Sequence, residues 1–177
     1  KYIYSNGDIY EGDWIKGEYN GKGKLSSSNG DEYIGLWANG KKEGQGILSD
    51  LNGQKYVGQW TKDSRSGDGS QTYLNGDKYE GEWSENKRDG FGIMTYANGN
   101  QYEGKWNKGL RNGIGTYTYV NGDIFSGKWE SGRKNGKGTI NYVNGDQYDG
   151  DWSNNKIQGI GVFTYSNGSS YDGEWLN

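Results

Sequence analysis

The sequence predicts an all-β protein, an elongated antiparallel meander of successive β-hairpins with two strands per 23-residue repeat. Three observations carry this. Tryptophan stands at positions 14, 37, 60, 83, 106, 129, 152 and 175, always at the same interval. An aromatic residue four positions earlier keeps step from Tyr10 to Tyr171, with a glycine between, so that Tyr-x-Gly-x-Trp recurs throughout, with Phe125 in one Tyr position. Glycine makes up 34 of the 177 residues and no apolar stripe of helical period appears, so helices fit the chain poorly. A fixed period of this length is the signature of a repeat architecture.

Each element follows from its residues. Tyr-x-Gly-x-Trp alternates, which places Tyr, Gly and Trp on one face of a strand and the intervening residues on the other. The second segment, exemplified by Gly92-Ile93-Met94-Thr95-Tyr96, also alternates, with Met94 and Tyr96 on the face of its glycines. Asn-Gly pairs at 6, 29, 52, 75, 98, 121, 144 and 167 favour the two-residue turn that joins antiparallel strands. That leaves a longer link, such as Ser84 to Asp89, inside each repeat. The recurring Gly-x-Gly has two readings. Either its bare backbone lets an indole lie flat over it, the favoured one, or it marks a tight turn or bulge. The third link, Thr61 to Ser66, lacks the glycine found at Gly17, Gly40, Gly109 and Gly132, which predicts an irregularity over 61–71. Residues 1–177 thus read as a single array of seven full repeats and a partial one, a segment of a longer protein.

Composition narrows the function. Hydrophobic residues are only 29% of the chain, but aromatics reach 15%, so the expected core is aromatic. No apolar run approaches a membrane span and no signal-peptide pattern opens the chain. Cysteine is absent, which excludes a disulfide framework and suits a cytoplasmic protein. With neither His nor Cys, general-base and thiol chemistry lack their usual groups, and zinc lacks its usual ligands. Glu80 with Glu82, and Asp149 with Asp151, sit two apart on a strand and read as a solvated face. The expectation is therefore no enzyme, no cofactor and no metal. A net charge of −3 argues against a nucleic-acid partner.

These motifs resemble MORN (membrane occupation and recognition nexus) repeats: Tyr-x-Gly-x-Trp, a short link, Gly-x-Gly and Asn-Gly over essentially the whole chain. The resemblance implies a twisted sheet of successive hairpins with an aromatic groove. Family members include cytoskeletal scaffolds of parasitic protists, junctophilins at membrane contacts, ciliary radial-spoke proteins, and extensions of plant phosphatidylinositol phosphate kinases and of a lysine methyltransferase. That range implies a binding or assembly module, commonly an elongated dimer. Departures are visible. Many members place His just before Gly-x-Gly, where this chain has Asn20, Glu43, Ser66, Asp89, Asn112, Asn135 and Gln158. The acid of Tyr-Glu-Gly becomes Ile34 and Val57, and Phe125 replaces one Tyr.

Three surfaces are candidate sites. The first is a partner groove of Tyr33, Trp37, Tyr56, Trp60, Tyr79, Trp83, Tyr102, Trp106, Phe125, Trp129, Tyr148 and Trp152, its Trp mainly structural and the edges of its Tyr row exposed to a partner. The second is a basic edge formed by the links: Lys41, Lys42, Lys62, Arg65, Lys87, Arg88, Lys108, Arg111, Arg133, Lys134 and Lys156. It suits anionic phospholipid headgroups. The third is an apolar patch on the opposite face, early at Ile34, Leu36, Ile47 and Val57, late at Phe91, Ile93, Ile114, Ile160 and Val162. The leading expectation is a non-enzymatic scaffold that binds a protein partner or a second copy. The alternatives are a peripheral module that binds phosphoinositides through the basic edge and a regulatory extension of an enzyme; the expected localisation is cytoplasmic, with cytoskeleton or membrane association.

Overall fold

The computed structural model describes residues 1–176, and among them the chain forms sixteen strands and no helix. It falls into two units, residues 1–87 and residues 88 onward. The first unit carries β1 (Tyr2–Ile3), β2 (Ile9–Ile15), β3 (Glu18–Ser26) and β4 (Glu32–Ala38). It continues with β5 (Lys41–Ser49), β6 (Lys55–Thr61), β7 (Ser64–Thr72) and β8 (Lys78–Ser84). The second unit carries β9 (Lys87–Thr95), β10 (Gln101–Asn107), β11 (Leu110–Thr118) and β12 (Ile124–Glu130). It continues with β13 (Arg133–Asn141), β14 (Gln147–Ser153), β15 (Lys156–Thr164) and β16 (Ser170–Trp175). Within each unit every strand pairs antiparallel with its chain neighbours, the expected meander of hairpins.

The turns are the reverse of the expected assignment. The links inside each repeat are the two-residue turns, with both central residues left-handed: Lys16-Gly17, Asn39-Gly40, Lys62-Asp63, Glu85-Asn86, Lys108-Gly109, Ser131-Gly132 and Asn154-Asn155. Positive φ at both positions defines the I′ turn, whose twist matches that of the flanking strands. The Asn-Gly pairs instead end three-residue loops. Gly99 N–H donates to the Tyr96 carbonyl at 2.9 Å, and Tyr96 N–H closes the loop on the Asn100 carbonyl at 2.9 Å. Gly99 takes φ +90°, the left-handed residue that completes this hairpin type. The irregularity expected over 61–71 is absent: Lys62 (φ 48°) and Asp63 (φ 69°) adopt the same turn without a glycine.

The two glycines of Gly-x-Gly divide the work that two readings had offered as alternatives. The first, such as Gly113 (φ +81°) or Gly136 (φ +92°), is left-handed and lies opposite the register shift of the preceding strand. The second carries an aromatic ring, and that ring is a tyrosine, not the indole. A Cβ on Gly115 would collide with the Tyr102 ring and hydroxyl, as one on Gly46 would with Tyr33. The indole instead donates its N–H to the carbonyl of the same second glycine. Trp37 bonds Gly23 at 3.2 Å, Trp129 bonds Gly115 at 3.0 Å and Trp152 bonds Gly138 at 2.9 Å. Each Tyr hydroxyl donates to the carbonyl three residues on, as Tyr102 does to Lys105 at 2.9 Å.

Gly115→Ala is expected to destabilise the protein by about 1–3 kcal/mol through overpacking against Tyr102. Leu74→Ala, at an exposed loop position, should stay within about 0.5 kcal/mol in the same urea titration. Phe125→Tyr should gain about 0.5–1.5 kcal/mol by supplying the hydroxyl that bonds the carbonyl of Lys128. Urea midpoints of the two proteins compared directly check it.

Candidate functional site

The aromatic face is built in two levels. The lower level is the row that the sequence nominates as a groove wall. Tyr33, Tyr56, Tyr79, Tyr102, Phe125 and Tyr148 are only 0–2% exposed, and Trp37, Trp60, Trp83, Trp106, Trp129 and Trp152 only 2–6%. Within each unit a Tyr ring sits edge-on between its own Trp and the next. Tyr33 lies 4.9 Å from Trp37 and 5.5 Å from Trp60, and Tyr102 lies 5.2 Å from both Trp106 and Trp129. The Tyr edges expected to meet a partner are therefore covered. Burial raises the pKa of Tyr56 and Tyr102 to about 12, against a smaller opposing effect of Arg65 and Arg111.

Above this row lies the upper level, Lys42, Arg65, Arg88, Arg111 and Lys134, each the second residue of its strand; the equivalent positions of the first and last repeats are Tyr19 and Ile157. Strand alternation puts that residue on the face of the glycines and the aromatic rings. In unit one, Lys42 Nζ lies 5.0 Å from the Trp60 ring centroid and the Arg65 guanidinium 4.6 Å from that of Trp83. In unit two, Arg88 lies 4.3 Å from Trp106, Arg111 4.2 Å from Trp129 and Lys134 4.6 Å from Trp152. Cations over indole faces are attracted by the ring quadrupole, more strongly where water is excluded. The arginines also reach the next turn: Arg65 donates to the Asn86 carbonyl at 3.0 Å, Arg88 to Gly109 at 2.8 Å and Arg111 to Gly132 at 2.7 Å.

The expected basic edge is thereby split in two. Lys41, Lys62, Lys87, Lys108, Arg133 and Lys156 are exposed beside the turns, as the sequence suggests. Lys42, Arg65, Arg88, Arg111 and Lys134 are not edge residues, because the short turns make them part of the strands. The apolar patch divides as well. Ile34 opposes Ile47, and Ile47 opposes Val57, so these three are contiguous, and Ile34 is 46% exposed. Leu36 lies beside them, opposite Lys22. The later residues do not form one patch, since charge interrupts them. Phe91 faces Lys105, Ile93 faces Glu103, Ile114 faces Lys128, Ile160 faces Glu174 and Val162 faces Asp149 and Asp172.

The sequence reading missed the rim of the aromatic face. Tyr117 and Tyr119 lie 4.7 Å apart by ring centroids, and Phe163 and Tyr165 4.8 Å. The Lys134 ammonium donates to the Tyr119 hydroxyl at 2.6 Å. Residue 134 is only 6% exposed, and its pKa falls to about 8, first through burial and then through the nearby Arg111 charge. In unit one, Asp63 and Asp31 act in the opposite sense on Lys42, though burial still leaves its pKa lowered. Tyrosines at 4, 73, 96, 119, 142 and 165 share one loop position; Ser27 and Asp50 interrupt the series in unit one. Among the described residues no group of three or more His, Cys, Asp or Glu is placed to hold a metal ion. Among the described residues no helix is long and apolar enough to cross a membrane.

Hairpins of one design, each resting its tyrosine on glycine, define a β-repeat protein. The MORN repeat profile matches residues 10–32, 33–55, 56–78, 79–101, 102–124, 125–147 and 148–170. The chain belongs to the MORN repeat family. No sequence among the curated proteins matches it. Among solved structures it is similar to the SAS-4 (dCPAP) TCP domain of Drosophila melanogaster, solved in complex with a proline-rich motif of Ana2 (dSTIL). That likeness has a TM-score of 0.53 at 15% identity and covers 86% of this chain and 83% of the other. The TCP10 domain of Danio rerio CPAP in complex with a STIL peptide matches at a TM-score of 0.37 and 12% identity, over 94% of this chain and 83% of the other. The first of these supports the fold.

Stability is expected to depend on pH through Lys134. Its folded pKa lies below the usual lysine value, so the unfolded chain binds more protons between about pH 8 and pH 10 and stability rises with pH there. Below pH 8 both states are charged and the burial penalty is fully present. Above about pH 10 the buried tyrosines, whose folded pKa values are raised, reverse the trend as the unfolded chain ionises first. Urea midpoints from pH 7 to 9.5 should climb in the wild type and flatten in Lys134→Met.

Proposed function

We propose that this chain is a non-enzymatic protein-interaction module, a scaffold element that holds an extended segment of a protein partner against the aromatic–cationic face. The observation that carries this is a cation lying on an indole ring at the same position of successive repeats within each unit, Lys42 and Arg65 in unit one and Arg88, Arg111 and Lys134 in unit two. Arg65, Arg88 and Arg111 are each partly accessible above a buried aromatic floor. Arginine and aromatic side chains dominate the energetics of protein interfaces, because they bring large, pre-ordered contact area. The Drosophila domain of similar fold was solved in complex with a proline-rich motif, which supports reading such a fold as one that binds a protein segment. The anionic-lipid alternative is left with only the exposed half of its basic edge, and no observation favours it.

Selection of a displayed random-peptide library on the immobilised chain tests this. Enriched peptides should bind the wild type and lose at least about tenfold affinity on Arg111→Ala/Tyr119→Ala, a loss of about 1.4 kcal/mol or more. They should keep their affinity on the edge variant Lys108→Ala/Arg133→Ala. Tryptophan emission confirms that each variant is folded. No enrichment over a blank surface, or enriched peptides indifferent to the face variant, would overturn the reading.

A further inference from the structure

We infer that the face of unit two recognises an acidic segment in polyproline II conformation, with a carboxylate at every third residue. This rests on the peptide-binding reading above and specifies its ligand. The first support is charge. Arg111 and Lys134 are held on the aromatic floor by neutral acceptors, the Gly132 carbonyl at 2.7 Å and the Tyr119 hydroxyl at 2.6 Å. Among the described residues no carboxylate lies within ion-pair distance of either side chain, whereas Lys1–Glu11, Lys24–Glu32 and Lys137–Asp151 form ion pairs elsewhere. Partly desolvated cations without counter-charge favour an anionic ligand, which supplies what the protein leaves out. The depressed pKa of Lys134 has Arg111 among its causes and no carboxylate. In unit one, by contrast, Asp31 and Asp63 already offset Lys42.

The second support is spacing. Arg88, Arg111 and Lys134 stand on β9, β11 and β13, two strands apart at each step, or about 9.6 Å. A polyproline II segment lying across the strands turns once in three residues and advances about 9.3 Å, so every third side chain faces the sheet in step with the cations. A β-strand repeats its face every two residues, at about 6.7 Å, and drifts out of register. The chain brings its own rim for such a ligand, since Tyr117 and Tyr119 stand beside the cations as ring surfaces against which pyrrolidines pack.

Fluorescence anisotropy with end-labelled peptides, at about 0.15 M salt to suppress long-range attraction, decides it. The peptides are (Glu-Pro-Pro) repeated four times, its Gln counterpart, and the isomer (Glu-Glu-Pro-Pro-Pro-Pro) repeated twice. The evenly spaced acidic peptide should bind at least about tenfold tighter than the Gln peptide. It should also bind tighter than the isomer, which turns only half its carboxylates to one face. Arg111→Gln/Lys134→Gln should remove the preference for Glu, and Lys108→Gln/Arg133→Gln should keep it. If the first variant does not fold, the wild-type peptide series alone decides. Equal affinity for Glu and Gln peptides, equal affinity for the two spacings, or no binding by any of them would each overturn the inference. Peptides from the library selection need not be acidic, so that reading can stand when this one falls.

Discussion

Everything in this chain hangs on a tyrosine ring lying on a glycine that has no side chain to push it away. The second glycine of each Gly-x-Gly receives the ring of its strand neighbour on its bare Cα, and its carbonyl takes the indole N–H of the following repeat. One residue without a side chain therefore holds two aromatic residues from different repeats. Large apolar area is buried with every polar handle satisfied, and no buried side-chain nitrogen or oxygen lacks a hydrogen-bond partner among the described residues. A chain so poor in aliphatic residues can fold because of this arrangement. Its layers are one sheet thick, with aromatic rings and cations in place of a second layer.

The cations complete that missing layer. A sheet with one large aromatic face would ordinarily need a second sheet or a helix to cover it. Here Lys42, Arg65, Arg88, Arg111 and Lys134 lie down on the indoles and shield the rings; the first four stay partly exposed, and Lys134 gives its ammonium to the Tyr119 hydroxyl. The arginines add a hydrogen bond to the turn of the next repeat, which a lysine lacks the planar fork to reproduce. The same residues are thus both roof and potential contact surface. This arrangement leaves the face closed enough to be stable alone and charged enough to be read from outside.

Much of this was legible in the sequence, and the failures have physical causes. The face shared by Tyr, Gly and Trp follows from alternation and stands. The turns are hidden from the sequence because Asn-Gly is the strongest short signal for a two-residue turn, while Lys62-Asp63, Glu85-Asn86 and Asn154-Asn155 adopt that turn with no glycine. Assigning long links to those places then carried Arg111 and its equivalents to the edge. Counting back by twos from Gly115 through Gly113 would have placed Arg111 on the aromatic face, so the signal was present and hidden by the turn. The ring over the second glycine is not legible in the sequence, because spacing alone does not say whether Tyr or Trp lies across the strand pair. Nor could a sequence reveal that Lys134 lacks a carboxylate while Asp31 and Asp63 surround Lys42, since these depend on which loops meet.

The hydrogen bond from the indole of one repeat to a glycine fourteen residues earlier, made from Trp37 onward, has a bearing on how such chains come to exist. Every repeat offers its neighbour the same carbonyl and asks of it the same indole, so within an array any repeat can follow any other. A duplication of one whole repeat inserts a unit that docks at once on both sides, with nearest-neighbour contacts alone to satisfy. An insertion one residue short would turn every later tyrosine to the wrong face of its strand. Lineages of this fold can therefore lengthen or shorten by gene slippage in whole-repeat steps, and natural selection sees the intermediate lengths as folded proteins.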